Sequence, residues 1–272
     1  MKSREMSRRS FLADCCLLVA GVALPGVARA EGAAAAVLTI NSAINKAGRQ
    51  RMLSQRIAKA YCQVGLNVQP KKSKQILADS TMLFEAQLSE LSGFAPTTEI
   101  RETYRQLHDK WVSYKSVAME SPTQKGAEKI ALLNEGVLKI AHQGTVQLEQ
   151  YAATNVGKLV NISGRQRMLS QRLAKFYMLR AWGVEVEGNM KPMDAARADL
   201  IKGFADLSAA KETTVSIKRE LELAKTQWVF FDNALNQQGL HKFEPVLAEN
   251  VATSSERILE VMDRVTGMYQ QL

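Results

Sequence analysis

The 272-residue sequence is short of aromatics (6%), of proline (6) and of cysteine (3). Three cysteines cannot build a disulfide framework, and two of them, Cys15 and Cys16, fall near the start of the chain. Beyond residue 30 no apolar run approaches the ~18 residues of a membrane span. The sequence has no nucleophile–base constellation, paired catalytic carboxylates, phosphate loop or zinc-ligand spacing, so it reads as a non-enzyme without a cofactor or metal site. His108, His142 and His241 lack metal spacing and read as surface or core histidines. What is present is 46% apolar residues, rich in Ala, Leu, Lys, Glu and Gln. These lose little rotamer freedom in a helix and point to an all-α chain.

The first thirty residues read as an address. Ser7-Arg8-Arg9-Ser10-Phe11-Leu12 precedes an apolar run from Ala13 to Ala28, which ends in the small-x-small pattern Ala28-Arg29-Ala30. That order resembles a cleavable twin-arginine export signal, and it predicts a periplasmic protein. The full chain carries 36 Lys+Arg against 27 Asp+Glu, a formal +9. Cleavage after residue 30 removes five basic and two acidic residues, leaving 31 against 25, or +6, with Cys62 as the sole cysteine. A modest positive balance outside the cytoplasm favours anionic partners and disfavours nucleic acid. Read from its ends, the chain is expected to lack the membrane helices and cytoplasmic part of a receptor.

The chain also repeats itself. Lys46 to Tyr61 reads KAGRQRMLSQRIAKAY and Ile162 to Tyr177 reads ISGRQRMLSQRLAKFY, an offset of 116 residues. Gly48–Arg56 and Gly164–Arg172 are identical. Fainter echoes pair Leu91-Ser92 with Leu207-Ser208, Asn134 with Asn250 and, one residue out, Trp111 with Trp228. Two copies of one module are implied, spanning residues 31–155 and 156–272.

Helical apolar spacing and Gly/Pro punctuation predict four helices per copy. In the first they cover about 33–66, 71–91, 98–119 and 125 onward; in the second the last three cover about 192–210, 215–237 and 243–271. Short connections favour up-down four-helix bundles. No proline separates Gln150 from Ile162, so helix four of the first copy is expected to run on into the motif helix of the second and stack the bundles end to end. A break near Asn155 would instead set them side by side. Trp111, Trp182 and Trp228 read as core anchors and Cys62 as a small apolar filler.

On a helix, Arg51 has Ala47, Gly48, Ser54 and Gln55 three and four residues away, and Arg167 has Ser163, Gly164, Ser170 and Gln171. Each arginine therefore stands on a strip of small residues that lets a second helix approach. A guanidinium is a planar fork of donors suited to a flat oxyanion such as nitrate, nitrite or a carboxylate. Arg51 and Arg167, one from each motif helix, are the candidate clamp. Gly48 and Gly164 supply room, and Ser54, Ser170, Gln55 and Gln171 supply further donors. Arg49, Arg56, Arg165 and Arg172 lie on another face and are expected to make salt bridges or interface contacts. The competing reading is a structural arginine strip neutralised by neighbouring carboxylates.

The string G-R-Q-R-M-L-S-Q-R resembles the first-helix motif of the PilJ/NarX-like sensor domain of type IV pilus chemotaxis transducers and nitrate/nitrite sensor kinases. In the nitrate sensors, the resemblance implies, the domain is a periplasmic four-helix bundle. A motif arginine there meets its counterpart across a dimer and binds nitrate between first helices; that role falls to Arg51 and Arg167. The chain is then a tandem sensor module for a small oxyanion, nitrate or nitrite first, acting through a separate membrane receptor or transporter, with a homodimer as one way to pair the arginines. The alternative is a ligandless helical module docking on a receptor or pilus-linked complex.

Overall fold

The computed structural model describes residues 38–184, 190–236 and 243–272. The expected export signal, His241 and the glycines at 188 and 239 lie outside them. Eight helices follow in order: α1 Ile40–Gly65, α2 Pro70–Phe94, α3 Thr98–Ala118, α4 Gln124–Ala152, α5 Asn155–Ala181, α6 Met190–Ala209, α7 Val215–Asn236 and α8 Pro245–Gln270. There is no strand among the described residues. The all-α expectation holds, with most helix ends within a residue or two of the Gly/Pro breaks.

Local chemistry starts these helices. The side-chain oxygens of Thr39, Thr97, Thr123 and Thr154 accept from the backbone N–H of Ser42, Ile100, Gly126 and Gly157. Each satisfies one of the donors that a helix leaves without a partner in its first turn. Pro70 and Pro245 open α2 and α8, where a missing N–H costs nothing.

The expected continuous rod does not form. α4 stops at Ala152; Ala153 turns left-handed (φ 50°) with its N–H on the Glu149 carbonyl, and Thr154 caps α5. A left-handed residue needs neither Gly nor Pro, so this break had no breaker residue to announce it. Its consequence is that the copies lie side by side.

Cross-helix contacts give the directions. Ile44 meets Gly157, Gly48 meets Gly164 and Gly65 meets Trp182, so α1 and α5 run parallel and nearly in register. Arg56 donates to Ser80 and Gln50 to the Phe84 carbonyl, so α2 returns antiparallel to α1. α4 is likewise antiparallel, through Arg51 with His142 and Tyr61 with Ser121. α8 faces α5 antiparallel, through Arg167 with Asp263 and Gln171 with Ser255. α1 and α5 with α4 and α8 thus form the centre, flanked by α2–α3 on one side and α6–α7 on the other. One apolar core runs through both copies, from Ile44, Leu53 and Trp111 to Leu173, Phe231 and Met262. Trp111 is buried, stacked on Phe84 at 3.9 Å between ring centroids, and Cys62 is buried as well. Trp182 and Trp228 are partly buried against that core.

The copies exchange counter-charges. Arg56 and the buried Lys59 of α1 both bind Glu256 of α8. Arg172 and the buried Lys175 of α5 both bind Glu135 of α4. A buried ammonium without an anion is strongly destabilising, so each copy needs the acid of the other.

These pairs also reset the internal alignment. Glu135 corresponds to Glu256 and Asn134 to Ser255, an offset of 121 in this part of the chain rather than 116. The sequence echo between Asn134 and Asn250 is therefore not a structural equivalence.

Candidate functional site

The repeated string lies where α1 and α5 cross most closely. A Cβ placed on Gly48 would sit 3.8 Å from the Gly164 Cα, 3.2 Å from Arg51 Nη2 and 3.6 Å from Arg167 Nη2. The mirror distances from Gly164 are 3.8 Å to the Gly48 Cα, 3.1 Å to Arg167 Nη2 and 3.7 Å to Arg51 Nη2. Both guanidinium groups therefore share one small space, held open because neither helix carries a side chain there. This is the close approach that justifies two glycines inside long helices.

Helix geometry aims the forks. Side chains lean toward the helix N-terminus, so each arginine reaches back along the partner helix. Arg51 Nη2 donates to Asn161 Oδ1 at 2.7 Å and to the Asn161 carbonyl at 3.2 Å. Arg167 Nη2 donates to Asn45 Oδ1 and the Asn45 carbonyl at the same two distances. The serines and glutamines of the motif lie forward of the arginines, and the forks do not use them. Ser54 and Ser170 donate back to the carbonyls of Arg51 and Arg167, at 2.8 and 2.9 Å. Gln55 donates to Ser54 Oγ at 3.0 Å and Gln171 to the Ser255 carbonyl at 3.0 Å. The structure thus gathers Arg51, Arg167, Gly48 and Gly164 and leaves Ser54, Ser170, Gln55 and Gln171 in the helix packing.

The pseudo-twofold fails at the Nη1 nitrogens. Arg167 Nη1 donates to Asp263, whose carboxylate also takes Arg49 Nη2 at 2.7 Å. At the equivalent place, Arg51 Nη1 meets His142 Nδ1 at 3.2 Å. That contact makes Nδ1 the acceptor and leaves the ring proton on Nε2. Among the described residues no carboxylate lies within salt-bridge distance of Arg51; Glu149 reaches it through Asn161, whose Nδ2 donates to the Glu149 carboxylate.

Electrostatics follow this difference. Burial, with the charges of Arg165 and Arg167, brings Arg51 down to about 9. Burial lowers Arg167 as well, but Asp263 opposes it against the charge of Arg49 and the group settles at about 10. Burial and the charges of Arg51 and Arg165 bring His142 down to about 4, so the imidazole is neutral at neutral pH. Arg51 stays charged there, and its Nε is buried without a partner.

A cleft of about 320 Å³ opens beside this pair, with Arg51 at its floor and His142, Lys139, Arg165, Arg172, Glu135 and Asp199 on its walls. Arg165 Nη2 holds Asp199 at 2.5 Å and Arg172 holds Glu135 at 2.9 Å. Arg49 and Arg56 make ion pairs as well, at 2.7 and 2.5 Å, so all four outlying motif arginines serve salt bridges.

Residues 35–132 and 152–257 each match the family of type IV pili methyl-accepting chemotaxis transducer N-terminal domains, PilJ. The chain belongs to the PilJ family. No curated protein and no solved structure matches it. The two PilJ matches cover the two copies in tandem, and the parallel α1/α5 pair joins the motif helix of one to that of the other.

Four residues central to the site were missed in the sequence: Asn45, Asn161, His142 and Asp263. Asn45 and Asn161 sit three positions before the repeated glycines at the same 116-residue offset, so the signal was there. His142, read as an ordinary histidine, gave none, because its role depends on α4 packing against α1.

Proposed function

We propose that this PilJ protein is a sensory module that takes a small planar oxyanion, nitrate or nitrite first, at the Arg51 fork between α1, α4 and α5. The observation that carries the reading is a fully buried guanidinium, hydrogen-bonded to amide and imidazole groups, with no carboxylate of its own. A charge so placed gains most from an anion that can enter, since low polarity strengthens the attraction and the donor fork is already oriented. Two or three charge-assisted hydrogen bonds, less the cost of ordering, suit micromolar to millimolar affinity.

The module is extracytoplasmic in this reading, exported through its amino-terminal segment. It passes occupancy to a membrane signalling partner, as befits the N-terminal region of a chemotaxis transducer. The arginines that meet across a dimer in the resembling sensors are paired here inside one chain, so a homodimer is not needed for the pairing. Occupancy would alter the α1/α5 spacing at Gly48 and Gly164, where the two motif helices meet.

Calorimetry of the purified protein with nitrate, nitrite, acetate and chloride tests it. Heat from a planar oxyanion that falls at least tenfold in apparent affinity in Arg51→Ala supports the reading. Silence from every anion, with an unchanged melting temperature, supports the ligandless docking module instead. That second reading draws on the Asp263 pairing of Arg167 and on exposed apolar residues of α7 such as Val229 and Phe230.

A further inference from the structure

The two halves of the site read each other's chemistry. In one half Asp263 bridges two arginines, Arg167 and Arg49. The repeat places Arg51 and Arg165 in the equivalent positions, offset by 116, and His142 in the position of Asp263, offset by 121. The first half therefore has the same two forks and lacks the carboxylate between them. Burial makes this more than a formal comparison. Both Arg51 and Arg167 are 0% exposed and each has an unpartnered buried Nε, but Arg51, unlike Arg167, lines the cleft of about 320 Å³. Arg165 uses one nitrogen on Asp199 and faces the cleft, so donors remain on its fork.

We propose that the molecule holds one oxyanion site, not two: a planar oxyanion bridges Arg51 and Arg165 beside His142, where Asp263 supplies the same bridge permanently for Arg167 and Arg49. The inference rests on the oxyanion reading above and adds its stoichiometry, its second arginine and the residue that shuts the twin site. The ligand's chemistry is set by the carboxylate it mimics: flat, singly charged, with two oxygens a few ångströms apart. Nitrate, nitrite and small carboxylates share that description. His142 contributes by being uncharged and an acceptor for Arg51, so it holds one fork without competing for the anion.

Guanidinium NMR reads each fork separately, since every arginine Nε–H gives its own signal. In the full chain, titration with nitrate should shift the Nε–H signals of Arg51 and Arg165 and leave those of Arg167 and Arg49 in place. Asp263→Asn and Asp263→His empty the second bridge, and nitrate should then shift all four signals. His142→Asp builds the missing bridge and should abolish the nitrate response at Arg51. Far-UV circular dichroism and melting temperature check that each variant is folded, and the two substitutions at Asp263 guard against failure of either one. Shifts at all four arginines in the unaltered chain would overturn the proposal. So would an Arg167 signal still silent in both Asp263 variants, or a full response in His142→Asp. Those results leave the oxyanion reading standing. If nitrate and acetate move no arginine signal in any variant, the oxyanion reading itself falls, and this inference with it.

Discussion

Glu256 binds two cations at the centre of the molecule, Arg56 and the buried Lys59. Burial pushes its carboxyl upward, but Lys59 and Arg56 outweigh that and hold it at about 2, against an ordinary 4.5. A depressed carboxylate contributes stability that is complete above its unfolded value and is lost as pH falls toward the folded one. Stability should therefore drop between about pH 4.5 and 2. Glu256→Gln should flatten that limb and cost on the order of 3 kcal/mol near neutrality, because Lys59 is left buried without an anion. Urea melts at pH 7, 4 and 2.5 measure both effects. Glu135 holds the equivalent pair but is 45% exposed, so Glu135→Gln should cost less. Equal costs for the two would show that solvent does not relieve Lys175.

At the scale of elements, the helices follow rules that a sequence displays openly: threonine caps, prolines in the first turn and Gly/Pro punctuation. Glycines inside them are harder to read, since the same residue serves opposite ends. Gly65 lies against Trp182, and a Cβ there would fall 2.0 Å from the indole ring, which cannot step aside as a flexible chain end would. Gly136 of α4 has its nearest neighbour at 3.9 Å. Gly136→Ala should stabilise by up to ~1 kcal/mol through helix propensity. Gly65→Ala should instead destabilise by ~1–3 kcal/mol through overpacking and shift the Trp182 emission. Thermal melts of the pair separate the cases; a gain from Gly65→Ala would mean the α1/α5 contact yields readily at that end. Only tertiary neighbours, Trp182 for Gly65 and Lys110 for Gly136, distinguish the two glycines, so the sequence alone could not rank them.

For the whole molecule, the exchange of Glu256 and Glu135 between copies makes the repeats interdependent although the chain is duplicated. Each half taken alone would uncover the face of α1 or α5 that the other half covers and would leave Lys59 or Lys175 without its acid. Residues 38–152 and 155–272 expressed separately should be poorly folded, and mixing them should restore helicity. The intact chain should melt in one transition, with calorimetric and van't Hoff enthalpies equal. Two resolved transitions would show that the copies are independent bundles in contact. The side-by-side arrangement turned on a left-handed Ala153 just before Asn155, and the lack of a proline between Gln150 and Ile162 is why the sequence favoured a rod.

The amino-acid order by itself determined the helical class, the duplication, the family resemblance and the two arginines, because propensity, period and an identical nine-residue string are local properties. Tertiary structure decided which way the forks point, that Asn45 and Asn161 hold them, and that Asp263 faces one where His142 faces the other. Those outcomes depend on which helix packs beside which, and at what register. Positions 142 and 263 become equivalent only at the offset of 121 that helix packing sets, and there one buried arginine meets an imidazole and its twin a carboxylate.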